Sequence, residues 1–379
     1  METLIRSGRP ATGSPPPPPR PPRGAPLAHP PVSLGLLILS LLLGSAGCTS
    51  PLRPEAEGGP TLSAGEFTFD SGGSALYYEF PLSPALSTPA GADTLIFFVS
   101  GSGCRSVRDR FPHYLAPLYG ARGWVFILQK RGIRDGSRGL WCSRSFIRAD
   151  YFESILSDQL EFIRHTLDTL PRRCRNVVLI GASEGSLVAA ELARREPRIT
   201  LLGLIGSGGT RLRDYLLRLE GLGRPLGGVE QMLNEIAADP DDLERRALGH
   251  SYRYWSSFLD IDLRQILPQL PIPVIVAMGE EDSAVPAETL DLLIEAHGGA
   301  RNGRLTTLVY LDADHRLVDR DRSIPYSGHF LQTLASQMEA CEAPAGPLAE
   351  VPPWRSSPLE PDDPSSPLAR LPGIDGERR

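Results

Sequence analysis

The chain has 379 residues, 39 Lys+Arg against 45 Asp+Glu, and a formal net charge of −6. That length allows one large domain or two small ones, and 41% apolar residues suffice for a sizeable core. The mild acidity gives no support to nucleic-acid binding, which needs a basic face. Proline, at 37 residues, is about twice its usual share. Eleven prolines fall in residues 1–31 and nine in 343–379, leaving an ordinary globular density between. The excess therefore describes two disordered ends, the second a Pro/Ser-rich tail over 343–379.

The lead carries Arg6, Arg9, Arg20, Arg23 and the run Pro15 to Pro19, an extended tract that joins no core. An apolar run from Leu34 to Leu43 follows, then Gly44-Ser45-Ala46-Gly47-Cys48. The run is short for a bilayer span, which takes about 20 residues. A basic lead, a short apolar region and small residues predict an export signal over 1–48, with the true start downstream of Met1 as one reading of the long lead. The small residues before Cys48 resemble a bacterial lipobox. That resemblance implies lipidation at Cys48 and membrane attachment through the lipid, at a periplasmic or cell-surface location. Ser45 departs from the Leu usual there, and cleavage after Ala46 or an uncleaved anchor are the alternatives. Residues 49–60 read as a tether. Export also permits oxidation of the remaining cysteines, Cys104, Cys142, Cys174 and Cys341.

From about Gly65 to about Ala340 strands and helices alternate. Gly65 to Asp70 and Ala75 to Phe80 read as a leading pair of strands. Thr94 to Val99 and Trp124 to Gln129 are short apolar runs, as buried strands should be. Asp150 to Leu170 has apolar residues three and four apart and predicts an amphipathic helix. Val177 to Ile180 is a strand, and a helix running through Leu187 to Ala193 begins just after Ser183. Leu201 to Ile205, Val274 to Met278 and Leu305 to Leu311 are further strands, and Phe330 to Met338 belongs to a closing helix. The alternation predicts an α/β fold with a mostly parallel central sheet flanked by helices. Arg211 to Leu270 interrupts the rhythm with helical character, and reads as a helical cap insertion over about 210–271.

Gly181-Ala182-Ser183-Glu184-Gly185 fits G-x-S-x-G, between an apolar strand and a helix. That context is the one a nucleophile elbow requires, because the turn is too tight for Cβ atoms at the flanking positions. On these residues the chain resembles the α/β-hydrolase superfamily over about 65–340, and an α/β-hydrolase domain is expected over 61–342. The family order is nucleophile, acid, histidine. Val274 to Gly279 followed by Glu280-Glu281-Asp282, then Val285-Pro286, matches the acid loop, with Asp282 at the acid position. Of the histidines beyond it, His297, His315 and His329, only His315 follows the last strand, in Asp312-Ala313-Asp314-His315. Asp314 is read as shaping that loop.

The resemblance implies covalent acyl transfer by Ser183, with His315 as base and Asp282 orienting it. It implies an oxyanion hole from the backbone N–H of Glu184 and of Ser102 in Ser100-Gly101-Ser102-Gly103-Cys104, with Gly103 the alternative. Ser100 stands where many relatives carry His. Lys130-Arg131-Gly132-Ile133-Arg134-Asp135-Gly136-Ser137 is similar to a site-floor loop of the superfamily. A carboxylic ester hydrolase with a small-molecule ester substrate is the expected activity. A serine peptidase on the same fold, with an amine held by Glu220, Glu230 or Glu235, is the second reading. A non-catalytic binding protein is the third. No metal or organic cofactor is implied, and oligomeric state is not legible.

Two inferences go beyond the family. Cys104 and Cys142 lie in loops leaving the same ends of neighbouring strands, so a disulfide between them is expected; Cys174 with Cys341 is a weaker pairing. Arg105, Arg108, Lys130 and Arg131 cluster near these loops, either to meet an acidic group on a substrate or to be solvated and paired with Asp.

Overall fold

The computed structural model describes residues 62–108, 114–170, 176–221, 228–298, 303–319 and 325–340. The expected export segment, Cys48, the tether, the Cys174–Cys341 pairing and the carboxyl tail lie outside the described residues.

Eight strands form one sheet: β1 (Ser63–Thr68), β2 (Ser74–Pro81), β3 (Thr94–Val99), β4 (Gly123–Leu128), β5 (Asn176–Ala182), β6 (Leu201–Ile205), β9 (Val274–Gly279) and β10 (Leu305–Tyr310). Their order is β1-β2-β4-β3-β5-β6-β9-β10. β1 pairs antiparallel with β2, and β2 with β4; every other pairing is parallel. Two short strands, β7 (Arg246–Ala247) and β8 (His250–Ser251), form a separate hairpin.

The central strands are apolar throughout because both faces of the sheet are covered. Successive residues therefore serve opposite cores. Leu95, Phe97, Leu179, Leu202, Val274 and Val276 belong to one core, and Ile96, Phe98, Val178, Ile180, Leu201 and Ile275 to the other. Helices α2 (Phe152–Thr169) and α3 (Glu184–Arg195) close the first face. α2 does so with the three-and-four spacing of Phe152, Ile155, Leu156 and Ile163, as its sequence predicts. α9 (Ser327–Ala340) covers the second with Phe330, Leu331 and Leu334.

A short helix, α1 (Arg144–Ala149), precedes α2, and Ser143 caps it by accepting from the Phe146 N–H. Between β6 and β9, which are hydrogen-bonded neighbours, the chain makes a long excursion. It contains α4 (Leu212–Gly221), α5 (Val229–Ala238), the β7–β8 hairpin, α6 (Tyr252–Phe258) and α7 (Leu263–Ile266). Helix α8 (Thr289–Ala296) lies between β9 and β10. No helix among the described residues is long and apolar enough to cross a membrane.

Cys104 and Cys142 form a disulfide, with Cα atoms 5.5 Å apart. It joins the loop after β3 to the loop after β4, as their positions on neighbouring strands predict. The closed loop of 38 residues limits the unfolded chain by about 4 kcal/mol in the chain-entropy account. The double variant Cys104→Ser/Cys142→Ser should therefore unfold at lower urea, with up to about 4 kcal/mol lost and an unchanged far-UV circular dichroism spectrum before the transition.

Candidate active site

Ser183 sits at the turn between β5 and α3, with φ 54° and ψ −124°. A non-glycine residue there carries backbone strain of about 1–3 kcal/mol and persists only where its surroundings over-determine it. They do so here. The Ser183 N–H donates to Ile205 O at 2.7 Å, and its carbonyl accepts from the Ser186 N–H at 2.9 Å. The glycines of the motif are required by close approach. A Cβ on Gly185 would meet the Val99 and Ser100 carbonyls, and one on Gly181 would meet Gly185 O and Ala189. The amino end of α3 is thus pressed against the end of β3.

Asp282 and His315 lie on loops after β9 and β10. His315 Nδ1 is 2.7 Å from Asp282 Oδ2. The other carboxylate oxygen accepts from the Ala284 and Val285 N–H groups, both at 2.8 Å. Asp282 is fully buried at its side chain, and the imidazole is 28% exposed. An ionised carboxylate only accepts, so Nδ1–H donates and the neutral ring keeps Nε2 as an acceptor.

The two loops hold each other. A Cβ on Gly279 would collide with the Ala313 and Asp314 carbonyls, and the Glu281 N–H donates to Ala313 O at 3.0 Å. Asp314 shapes the histidine loop by accepting from the Arg316 N–H at 2.7 Å and pairing with its guanidinium at 2.8 Å. Ser183 and His315 both approach the end of β6. Ile205 accepts the Ser183 amide, and the next residue, Gly206, abuts the imidazole: a Cβ there would lie 2.8 Å from His315 Cε1. Among the described residues no hydrogen bond joins Ser183 Oγ to the ring. Such bonds commonly close only when substrate is present.

Glu184 is the first residue of α3, and Ser183 gives that helix no side-chain cap. The Glu184 amide therefore has no intrahelical acceptor. The loop after β3 reaches the nucleophile at Gly101, where a Cβ would lie 3.2 Å from Ser183 Cβ and 3.8 Å from Oγ. Ser102 follows, exposed, and Gly103 turns the chain with φ 91°. His297 and His329 stand apart. His297 is buried at the end of α8, where burial pushes its pKa down. His329 Nδ1 is 3.0 Å from the Tyr310 hydroxyl.

The cluster of Arg105, Arg108, Lys130 and Arg131 separates in the structure. Arg108 pairs with Asp135 at 2.9 Å, and Arg131 with Asp158 at 2.6 Å. Lys130 is buried and holds two carboxylates, Glu184 at 2.5 Å and Asp150 at 3.4 Å. Only Arg105 of the four is left exposed without an ionic partner among the described residues.

Lys130 belongs to a network that sequence reasoning missed. Glu184 Oε1 accepts from Lys130, and Oε2 accepts from the Tyr254 hydroxyl at 2.7 Å. Asp150 Oδ2 faces His250 Nδ1 at 3.5 Å, and the His250 ring stacks on Tyr254 with centroids 3.8 Å apart. The side chain of the residue after Ser183 is thus held by the chain's single lysine and by the excursion between β6 and β9. Burial alone would lower the Lys130 pKa; the Glu184 and Asp150 charges outweigh it and hold the ammonium above its ordinary value. Burial alone would raise Asp150; Lys130 and His250 outweigh it and hold the carboxyl below its ordinary range. Burial and Glu184 hold the Tyr254 hydroxyl well above its ordinary value, so it remains a donor.

No protein-family model matches the chain, and no curated protein matches it in sequence. Solved structures do match in fold. A puromycin hydrolase superposes with a TM-score of 0.53 at 16% identity, over 76% of this chain and 40% of that one. An esterase of Pyrococcus furiosus gives 0.50 at 13% identity, over 74% and 91%. An acylaminoacyl peptidase of Pyrococcus horikoshii gives 0.50 at 12%, over 75% and 41%. The chain therefore spans about two fifths of the puromycin hydrolase and of the peptidase. With this strand order and these neighbours, the chain has the α/β-hydrolase fold.

Removing one partner of a buried ion pair strands the other, at about 3–5 kcal/mol. Lys130→Met should lose about that much in urea unfolding. The Asp150 contribution has a definite sign. Its folded pKa is depressed, so its stabilisation is complete above the unfolded value of about 3.9 and is lost as pH falls through the lower folded value. The stability difference between wild type and Lys130→Met should accordingly shrink below about pH 4.

Proposed function

We propose that this chain is a serine hydrolase that cleaves carboxylic esters through Ser183, His315 and Asp282. The observation that carries the reading is the 2.7 Å His315–Asp282 pair, with a serine held at positive φ at the strand-to-helix turn of the motif. His315 Nε2 takes the Ser183 proton as Oγ attacks the substrate carbonyl. Asp282 fixes the tautomer and stabilises the imidazolium. The amides of Glu184 and Ser102 receive the oxyanion. The imidazolium gives its proton to the leaving alkoxide, and water then releases the acyl group by the same steps.

The segment 210–271 serves as a cap over the site. In support, its Tyr254 reaches the residue after the nucleophile, and its Tyr215 hydroxyl donates to Ser283 O, beside the acid, at 3.3 Å. Ester rather than aminopeptidase chemistry is favoured by what the cap glutamates do. Glu220 accepts from the Val229 N–H at 2.8 Å, and Glu235 accepts from the Tyr252 hydroxyl at 2.8 Å and from Gln231 at 2.9 Å. Both are spent on holding the cap together, leaving Glu230 in the first turn of α5. Export with lipid attachment at Cys48 completes the proposal, and the Cys104–Cys142 disulfide suits an oxidising compartment.

The test is labelling of the full chain with a fluorophosphonate, with the modified peptide mapped by mass spectrometry. Labelling at Ser183 is expected, with the rate falling about 10⁴-fold or more in His315→Ala. A folded protein that is not labelled, or a His315→Ala variant labelled at the wild-type rate, would overturn it. Turnover of a p-nitrophenyl ester well above that of an aminoacyl anilide is the expected preference.

A further inference from the structure

The loop after β4, together with Arg105 bridged to it from the loop after β3 and the helix α1 that follows, carries charge that the fold leaves uncompensated. Arg105 and Arg138 face each other across an antiparallel bridge, which puts two like charges side by side. Arg144 and Arg148 stand four apart on α1, a second like-charge pair on one helix face. All four are exposed, as is Arg134, and none has an ionic partner among the described residues. The only carboxylate between 134 and 149 is Asp135, which is occupied by Arg108 and the Tyr78 hydroxyl. In a chain of net charge −6, this is a local surplus of positive charge.

The same loop ends in an apolar tip. Trp141 is 91% exposed and Leu140 71%, the two most exposed large apolar side chains described. The tip is held in place. Cys142 is bonded to Cys104, the Ser106 N–H donates to Ser137 O at 2.8 Å, and the Ser137 hydroxyl donates to Cys104 O at 2.7 Å. The Ser143 hydroxyl donates to Gly132 O at 2.8 Å, closing the base of the loop.

We propose that this loop is a docking surface for an anionic lipid bilayer, with Trp141 and Leu140 entering the interface and the arginines meeting the headgroups. Both halves of the surface then have a use. An anionic surface relieves the repulsion within each arginine pair and attracts every basic residue near it. The indole and the leucine gain burial at the headgroup level, where tryptophan is favoured. A hydrated acidic polymer would satisfy the arginines and leave the apolar tip in water, which is why the bilayer is the better fit. Because the disulfide ties the tip to Cys104, the same docking brings the Ser100–Gly103 loop toward the lipid. The proposal is independent of the hydrolase reading.

The test uses the full chain and vesicles of phosphatidylcholine with or without phosphatidylglycerol, with brominated acyl chains as quencher. The depth of Trp141 is the readout, taken as the quenching that Trp141→Phe removes. Attachment through other parts of the chain does not supply that signal. Quenching of Trp141 on phosphatidylglycerol vesicles is expected, weakening with added salt. The double variant Arg105→Gln/Arg138→Gln should shift the docked-to-free ratio by about thirty-fold, with an unchanged circular dichroism spectrum. Equal quenching on pure phosphatidylcholine, or no Trp141-dependent quenching, would overturn the proposal. So would soluble polyglutamate shielding Trp141 from acrylamide as well as the vesicles do, which would assign the surface to an acidic polymer.

Discussion

The site depends on one tight contact, the amino end of α3 lying directly against the end of β3. Gly185 makes that approach possible, since any side chain there would strike the Val99 and Ser100 carbonyls. Three consequences follow from it. Ser183 is held at a φ that serine otherwise avoids. The first amide of α3 has no acceptor of its own within the helix. The loop after β3 has to leave the sheet beside the serine, which is where Gly101 is found.

A second constraint lies beneath the first. Glu184 has its amide at the turn and its carboxylate in the protein interior, 5% exposed at the side chain. A lone carboxylate there would be expensive, and the fold answers with Lys130, itself neutralised jointly by Asp150. An apolar trio of equal volume would be no less stable by the usual reckoning of buried ion pairs. What an apolar trio lacks is direction. The ammonium and the Tyr254 hydroxyl take one carboxylate oxygen each, which leaves the Glu184 side chain a single orientation.

Much of this was legible in the sequence because it is local. The strands at Thr94–Val99 and Leu201–Ile205 have the bounds that their apolar runs predict. Asp282 and His315 stand after late strands in the order that the resemblance implies, and their side chains lie 2.7 Å apart. The cysteine pair followed from strand adjacency. The Lys130 network was not legible, since its members come from four segments that only the tertiary fold assembles. Glu184 occupies a variable position of its motif, and His250 and Tyr254 lie in an excursion with no pattern to mark their partners. Lys130 carried one signal, its being the single lysine, and nothing local said that it points inward. Of the two readings of the basic cluster near it, pairing with Asp is the one found for Arg108 and Arg131, and sequence distance alone does not show which partner each charge takes.

The excursion between β6 and β9 begins and ends on strands that are hydrogen-bonded to each other. The two strands are parallel, so the excursion leaves the carboxyl end of β6 and re-enters at the amino end of β9, roughly 10 Å away along the strands. A crossover of this length is exchangeable: its length and content can change while the sheet keeps its register, because closing a longer loop costs only slowly more. In this chain that freedom is limited where the excursion grips the rest of the fold, as at Tyr254 against Glu184, His250 against Asp150, Ser257 against Phe152 and Tyr215 against Ser283. A lineage that replaced the excursion wholesale would keep the sheet and lose the grip on Glu184.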